Sequence, residues 1–403
     1  MPVEAEGATL ESDSLFLPLT RAGLDPVAEL ARRRENQPVS RLDLFGNTVW
    51  LITRHGDVRR VLGDTETFSN DFATLLAAGG DDVEEMGLAD PGGLGFRDPP
   101  EHTRLRRLLA PAFSARRLTE LQPYIRDVVD ARLDVLESAG PTADLVELFA
   151  TAVPAMVIGE MLGVPADEQE AFGRLAADRF DLLESILAPL DSAAASIDYL
   201  LDLIARQREA PADGLLSRLI QENPDLGDRE LAGLADGLLV GGHETTASML
   251  ALGTLVLLSD PGRAALVRAE ETDPDPVVEE LLRYLTVVQV AFPRIARSDT
   301  TVGDQPVAAG DLVLCSLSSA NRDAALGPGL EQVDLARLPT PHLAFAHGIH
   351  HCLGAQLARL ELRIALPALL RRFPTLHLAV DPDQLRFRDR SIVYGLEELP
   401  VAW

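Results

Sequence analysis

A chain of 403 residues with 63 acidic against 36 basic side chains, a formal charge of −27, speaks against nucleic acid and anionic membrane surfaces as partners, since both are recognised through basic patches. Its 46% hydrophobic residues can bury a large core, and two cysteines argue against a disulfide framework and suit a reducing cytosol. The opening Met1-Pro2-Val3-Glu4-Ala5-Glu6-Gly7 lacks the positive start and apolar centre of a signal peptide, and no run approaches the ~20 apolar residues of a bilayer-spanning helix, so a cytoplasmic protein without membrane association is expected.

Residues 1–20 are expected to form a loosely ordered leading segment. From Val39 to Ile52 the chain alternates and turns at Gly46-Asn47, which predicts a hairpin. Residues 77–95, rich in glycine and acids, read as a mobile loop. Leu118 to Leu136, closed by Gly140, and Leu231 to Leu258, closed before Pro261, have helical spacing. Ala193-Ala194-Ala195-Ser196 is only a short alanine-rich stretch, and no internal repeat is found. Thr301 to Leu314 predicts a second hairpin, and Cys315 at its end reads as core filler. Long helical stretches with few hairpins define a mainly α fold with small β-sheets.

Two stretches carry chemistry. Gly241 and Gly242 lie mid-helix, each costing up to about 1 kcal/mol relative to alanine, so a kink or a close approach is expected there. The acid and alcohols of His243-Glu244-Thr245-Thr246 follow, and helix-interior hydroxyls can bond back to carbonyls and loosen the ladder. A packing groove against a neighbouring helix is the plainer alternative. A zinc-protease helix is not, because Ala247 stands where a second histidine belongs.

In Phe345-Ala346-His347-Gly348-Ile349-His350-His351-Cys352-Leu353-Gly354 one cysteine sits just before a helix-forming run. Gly348 permits a turn, Gly354 a close approach, and a helix N-terminus lowers a thiol's pKa. A buried, inert cysteine is the ordinary alternative. Zinc fits poorly, because no second ligand cluster accompanies these histidines.

Spelled Phe345-x-x-Gly348-x-His350-x-Cys352-x-Gly354, this stretch resembles the haem-binding signature of the cytochrome P450 family. Glu280-Leu281-Leu282-Arg283 is similar to the family's Glu-x-x-Arg pair, Gly241 to Thr246 to its oxygen-activating helix, and Asp98-Pro99-Pro100-Glu101-His102-Thr103-Arg104-Leu105-Arg106 to its haem-contacting helix. The likeness runs to Ser391-Ile392-Val393-Tyr394-Gly395 near the end. It implies a single domain over 1–403 with the cytochrome P450 fold, since the implied haem contacts run from His102 to Cys352 without a linker.

The resemblance implies haem b (iron protoporphyrin IX) with Cys352 as the metal ligand, and Phe345, Gly348, His350 and Gly354 around it. His102, Arg106, Arg294 and His350 would meet the propionates. Glu244 and Thr245 would deliver protons, and Gly237, Val240, Gly241, Val290, Phe292, Ile392 and Val393 would contact substrate. Glu280, Arg283 and Arg337 would form a buried scaffold, a role better argued as specificity than as stability. Ala346 departs from the family's usual glycine, and Gly241 from its usual alanine.

A haem-thiolate monooxygenase that hydroxylates a small molecule with O2 is implied, the similarity to actinomycete members pointing to a polyketide, terpenoid or peptide-derived natural product. Without flavin or iron–sulfur motifs, electrons would come from a ferredoxin and a ferredoxin reductase. Epoxidation, desaturation or oxidative coupling are alternatives in the same chemistry, and a catalytically silent haem-fold partner protein is one from another class. Arg104, Arg107, Arg116 and Arg117 are either a docking patch for an acidic ferredoxin or an ordinary solvated face.

Overall fold

The structure, a computed structural model, describes residues 16–44, 47–71, 94–176, 179 and 188–403. Eight helices position the site: α1 (His55–Gly63), α2 (Glu101–Leu109), α3 (Ala115–Ala139), α4 (Ala152–Leu162), α5 (Ala188–Glu209), α6 (Asp228–Leu258), α7 (Pro274–Leu285) and α8 (Ala355–Arg372). The long central helix α6 packs against α4, α5, α7 and α8. It opens with Asp228 and Glu230 in its first turn, where acids complement the helix dipole. Every residue from Thr246 to Leu257 is buried, and Leu250, Leu252, Val256 and Leu257 are fully so. Each such side chain contributes roughly 1.5–3 kcal/mol when removed from water, so α6 is the axis of the main core.

The expected helices are present. Leu118 to Leu136 lies within α3, which ends at Gly140 with φ of 93°, a left-handed conformation that favours glycine. Helix α7 begins where the Asp273 side chain accepts from the Asp275 N–H, with Pro274 as its first residue. Among the described residues no single helix is long and apolar enough to cross a membrane.

Strands β1 (Val39–Leu44) and β2 (Asn47–Ile52) pair as the expected hairpin, its turn residues 45 and 46 lying outside the described residues. With β3 (Phe68–Ser69), β4 (Arg294–Ala296) and β7 (Leu312–Cys315) they make one sheet in the order β1-β2-β7-β4-β3. The second hairpin is tighter than expected: β5 (Thr300–Val302) turns at Gly303 and Asp304 into β6 (Gln305–Val307). Strand β7 leaves it to lie parallel to β2, with Leu312 opposite Val49 and Cys315 opposite Ile52. A three-stranded sheet of Ala143–Asp144, Pro400–Ala402 and His377–Leu378 closes the far end.

The leading segment needs one correction. Residues 1–15 lie outside the described residues, but Leu17–Leu19 form a tight turn with Leu17 and Leu19 buried in a core cluster, because β1, β2 and β7 offer them an apolar face. Of the expected loop 77–95, only Leu94 and Gly95 are described, in the turn Leu94–Phe96.

Candidate functional site

Three backbone devices shape the cysteine loop. The Cys352 N–H donates to the Phe345 carbonyl at 3.0 Å, closing the loop on itself. Gly348 has φ of 77°, and a Cβ there would lie 2.3 Å from the Leu62 carbonyl oxygen of α1, so only glycine fits. Ala346 adopts φ of 57° with its N–H on the Leu343 carbonyl at 2.9 Å. Where the family carries glycine, alanine here holds a left-handed conformation at about 1–2 kcal/mol.

Cys352 is an exposed residue of this loop, although protein closely surrounds its sulfur. Burial pushes its pKa up, against the pull of the Gly354 N–H and of the Arg106 and Arg359 guanidinia. Cys315, by contrast, is fully buried in the sheet with its pKa pushed up to about 12, the inert filler its setting suggests.

Near this loop lie buried polar atoms without partners among the described residues. The His102 ring is 2% exposed and neither of its nitrogens has a hydrogen-bond partner there, and His350 Nε2 is likewise buried and unpartnered. The two rings lie 4.3 Å apart. Burial lowers both imidazole pKa values, His350 to about 3 with help from Arg294, His102 and Arg106. Arg294 is buried at 3% exposure and donates to the Phe292 carbonyl at 2.7 Å, with no carboxylate paired to it among the described residues. Its guanidinium pKa is lowered by that burial. Arg106 donates to the His351 carbonyl at 2.8 Å, one position before Cys352. Two neutral donors and an uncompensated cation suit an anionic, carboxylate-bearing ligand, and the residues present fit haem.

Helix α6 runs continuously through its glycine pair. The expected close approach is present: a Cβ on Gly242 would lie 2.6 Å from Ile158 Cδ1 of α4, whereas one on Gly241 would meet nothing within 4 Å among the described residues. Gly237 and Gly241 are exposed on a helix otherwise largely buried, with Val240 half-buried beside them. The Thr245 hydroxyl bonds back to the Gly241 carbonyl at 2.8 Å. Glu244, at 4% exposure, pairs with Arg388 near the chain's end.

Glu280, Arg283 and Arg337 lie together. Arg283 Nε donates to Glu280 Oε2 at 2.7 Å with both side chains buried, and Arg337 Nε reaches Glu280 Oε1 at 3.2 Å. Arg283 also donates to the Asn321 and Leu330 carbonyls, stitching α7 to the loop ahead of the cysteine. Of the remaining expected contact residues, Phe292 is 44% exposed with its ring edge on Phe96, and Ile392 is half-buried. Val290 and Val393 are packed into core clusters. Arg104 is paired with Glu101 and Glu230, and Arg116 and Arg117 share Glu120; Arg107 is exposed with no ion pair among the described residues.

Sequence reasoning did not find Arg388, nor the trio Glu279, His342 and Arg359 behind the cysteine loop. No local pattern marks them, because each partner comes from a distant part of the chain.

Among the described residues, an exposed cysteine on a glycine-shaped loop accompanies unpartnered imidazole nitrogens and an arginine without a carboxylate, an arrangement that suits an anionic prosthetic group. The sequence profile of the family described as Cytochrome P450 matches residues 28–272 and 275–393. The chain is 41% identical to cytochrome P450-SU2 of Streptomyces griseolus, covering 98% of each chain. It is 39% identical to the mycinamicin IV hydroxylase/epoxidase of Micromonospora griseorubida, over 94% of this chain and 96% of that protein. Among solved structures it resembles OxyC, a cytochrome P450 implicated in an oxidative C–C coupling reaction during vancomycin biosynthesis, with a TM-score of 0.84, 38% identity and coverage of 95% and 96%. The chain belongs to the cytochrome P450 family and is a monooxygenase of that family.

Proposed function

We propose that this monooxygenase holds haem b through Cys352 and hydroxylates a small natural-product molecule. The observation that carries the reading is the exposed Cys352 on its glycine-shaped loop, together with the nitrogens of His102 and Nε2 of His350, which have no hydrogen-bond partner, and the guanidinium of Arg294, which has no carboxylate, among the described residues. Those three side chains, with Arg106, would hold the propionates, and Gly348, Phe345 and Gly354 would shape the loop under the ring. When bound, haem supplies the activation of dioxygen, and thiolate donation favours O–O cleavage.

The chain's own residues supply position and protons. Gly237, Val240, Gly241, Val290, Phe292, Ile392 and Val393 would surround the substrate, the bare glycine face of α6 leaving room for a bulky one. The Thr245 hydroxyl, now donating to the Gly241 carbonyl, has lone pairs and a rotatable proton to offer on that face. Glu244 would hold the next proton on its carboxyl. Glu280, Arg283 and Arg337 fix the loop from behind without touching the reacting atoms.

A second reading, epoxidation or oxidative coupling at the same centre, is favoured by the reactions named for the mycinamicin enzyme and for OxyC. Electrons would come from a ferredoxin and its reductase in the cytoplasm. The test is the reduced carbon monoxide difference spectrum of the purified protein, followed by a spectral binding screen of polyketide, terpenoid and peptide-derived compounds. Absence of a thiolate-type band overturns the ligand assignment.

A further inference from the structure

Behind the cysteine loop, three charged or polar side chains from three elements meet. Glu279, adjacent to the scaffold acid Glu280 on α7, points the other way. Its Oε1 accepts from Arg359 Nε of α8 at 2.6 Å, and its Oε2 accepts from Arg359 Nη2 at 3.0 Å. The same Oε2 lies 3.1 Å from His342 Nε2. His342 Nδ1 accepts the Ala344 N–H at 3.2 Å, which leaves Nε2 to donate to Glu279.

Thus held, the Arg359 guanidinium stands 4.5 Å from the centroid of the Phe345 ring, the ring whose backbone carbonyl receives the Cys352 N–H. The pair is mostly shielded, with side-chain exposures of 15% for Arg359 and 21% for Glu279, so its charges are felt further than on open surface. Burial alone would raise the Glu279 carboxyl, but the bonds from His342 and Arg359 outweigh it and bring it down to about 2, which keeps it ionised. Arg359 is also one of the two cations that favour the charged form of the Cys352 sulfur.

We infer that Glu279 and Arg359 are positioning residues that set the reduction potential of the Cys352-bound cofactor: Glu279 clamps the guanidinium on Phe345 behind the sulfur and cancels part of its field. The inference rests on Cys352 being the haem ligand. A bare cation there would favour the reduced, more negative centre, and a bare carboxylate would disfavour it. The pair as built lies between these limits.

The experiment is spectroelectrochemical titration of the haem-bound protein and of four variants, each first checked for the thiolate-type carbon monoxide band and for thermal unfolding. Glu279→Gln should shift the midpoint potential positive and Arg359→Gln should shift it negative. The double variant should return near the wild-type value, as should Arg359→Lys, which keeps the charge. Unmoved potentials in both single glutamine variants, or shifts of the same sign, overturn the inference and leave the trio a latch. If Glu279→Gln does not fold, Arg359→Gln against Arg359→Lys decides alone, since only loss of charge should move the potential. A wild-type protein without the thiolate band would instead sink the ligand assignment.

Discussion

The carboxylate of Glu244 pairs with the guanidinium of Arg388, 144 positions later in the chain, while the adjacent Thr245 hydroxyl donates to the Gly241 carbonyl at 2.8 Å. The acid and the alcohol expected to act together are thus tied to different neighbours, and their variants should separate. Thr245→Ala loses a back-bond that contributes little, so its stability should change by less than about 0.5 kcal/mol while reducing equivalents are diverted into hydrogen peroxide. Glu244→Gln should slow turnover and also cost about 1–3 kcal/mol, because a buried charge pair loses one member. Peroxide yield per electron donor consumed and thermal unfolding check both. Identical behaviour of the two variants would mean that this stretch only packs.

Cys352→His should keep the fold, since the backbone bond to the Phe345 carbonyl does not involve the side chain. It should lose the thiolate-type absorption of the reduced carbon monoxide complex. Persistence of that band in the variant would show that the ligand lies elsewhere.

Gly348→Ala meets the Leu62 carbonyl oxygen at 2.3 Å in a conformation with φ of 77°. Left-handed strain of about 1–2 kcal/mol and overpacking of about 1–3 kcal/mol should combine, with poor haem retention as the visible result. Gly354→Ala makes only an ordinary contact with Phe113 at 3.8 Å and should leave the protein's own stability nearly unchanged. Chemical unfolding of both variants, with haem content measured alongside, tests the contrast.

Gly241→Ala places a methyl group where nothing lies within 4 Å among the described residues. It should stabilise the protein by about 0.5–1 kcal/mol through helix propensity and weaken the binding of bulky ligands by narrowing the face of α6. Equal affinities for a series of ligands of increasing size would show that substrate does not rest on this face.

Glu361, on α8, is 1% exposed, and its Oε2 has no hydrogen-bond partner among the described residues. Burial pushes its carboxyl up to about 8 from an ordinary value of 4.5. Between those values the folded protein holds a proton that the unfolded chain releases, so stability falls as pH rises from about 4.5 and levels off above about 8. Glu361→Gln removes that loss: the variant should match the parent near pH 4 and exceed it by on the order of 3 kcal/mol at pH 7. Denaturant unfolding at both values checks the sign. A gap that does not widen with pH would mean that Glu361 finds a partner in solution.

Much of the centre was legible because its determinants are local. Gly348, Cys352 and the start of α8 lie within eight positions, and the turn and helix signals there act over that range. Glu280 and Arg283 share a helix face for the same reason. What escaped the sequence depends on contacts between distant segments. Gly242 is explained by Ile158 on α4, which no pattern on α6 announces. Likewise the second hairpin was seen in outline, but β7 takes its partner from β2, far upstream.

That last pairing shapes how the protein is made. Strand β7 reaches its place beside Val49, Trp50, Leu51 and Ile52 only after roughly 260 further residues have been added, which at ribosomal rates takes on the order of 10 to 50 seconds. Throughout that interval β2, with a Trp and three branched aliphatic residues in succession, presents an unpaired edge in the nascent chain. Recovery of intact protein from a foreign host therefore turns on whether a holding chaperone covers this early hairpin until its late partner is synthesised.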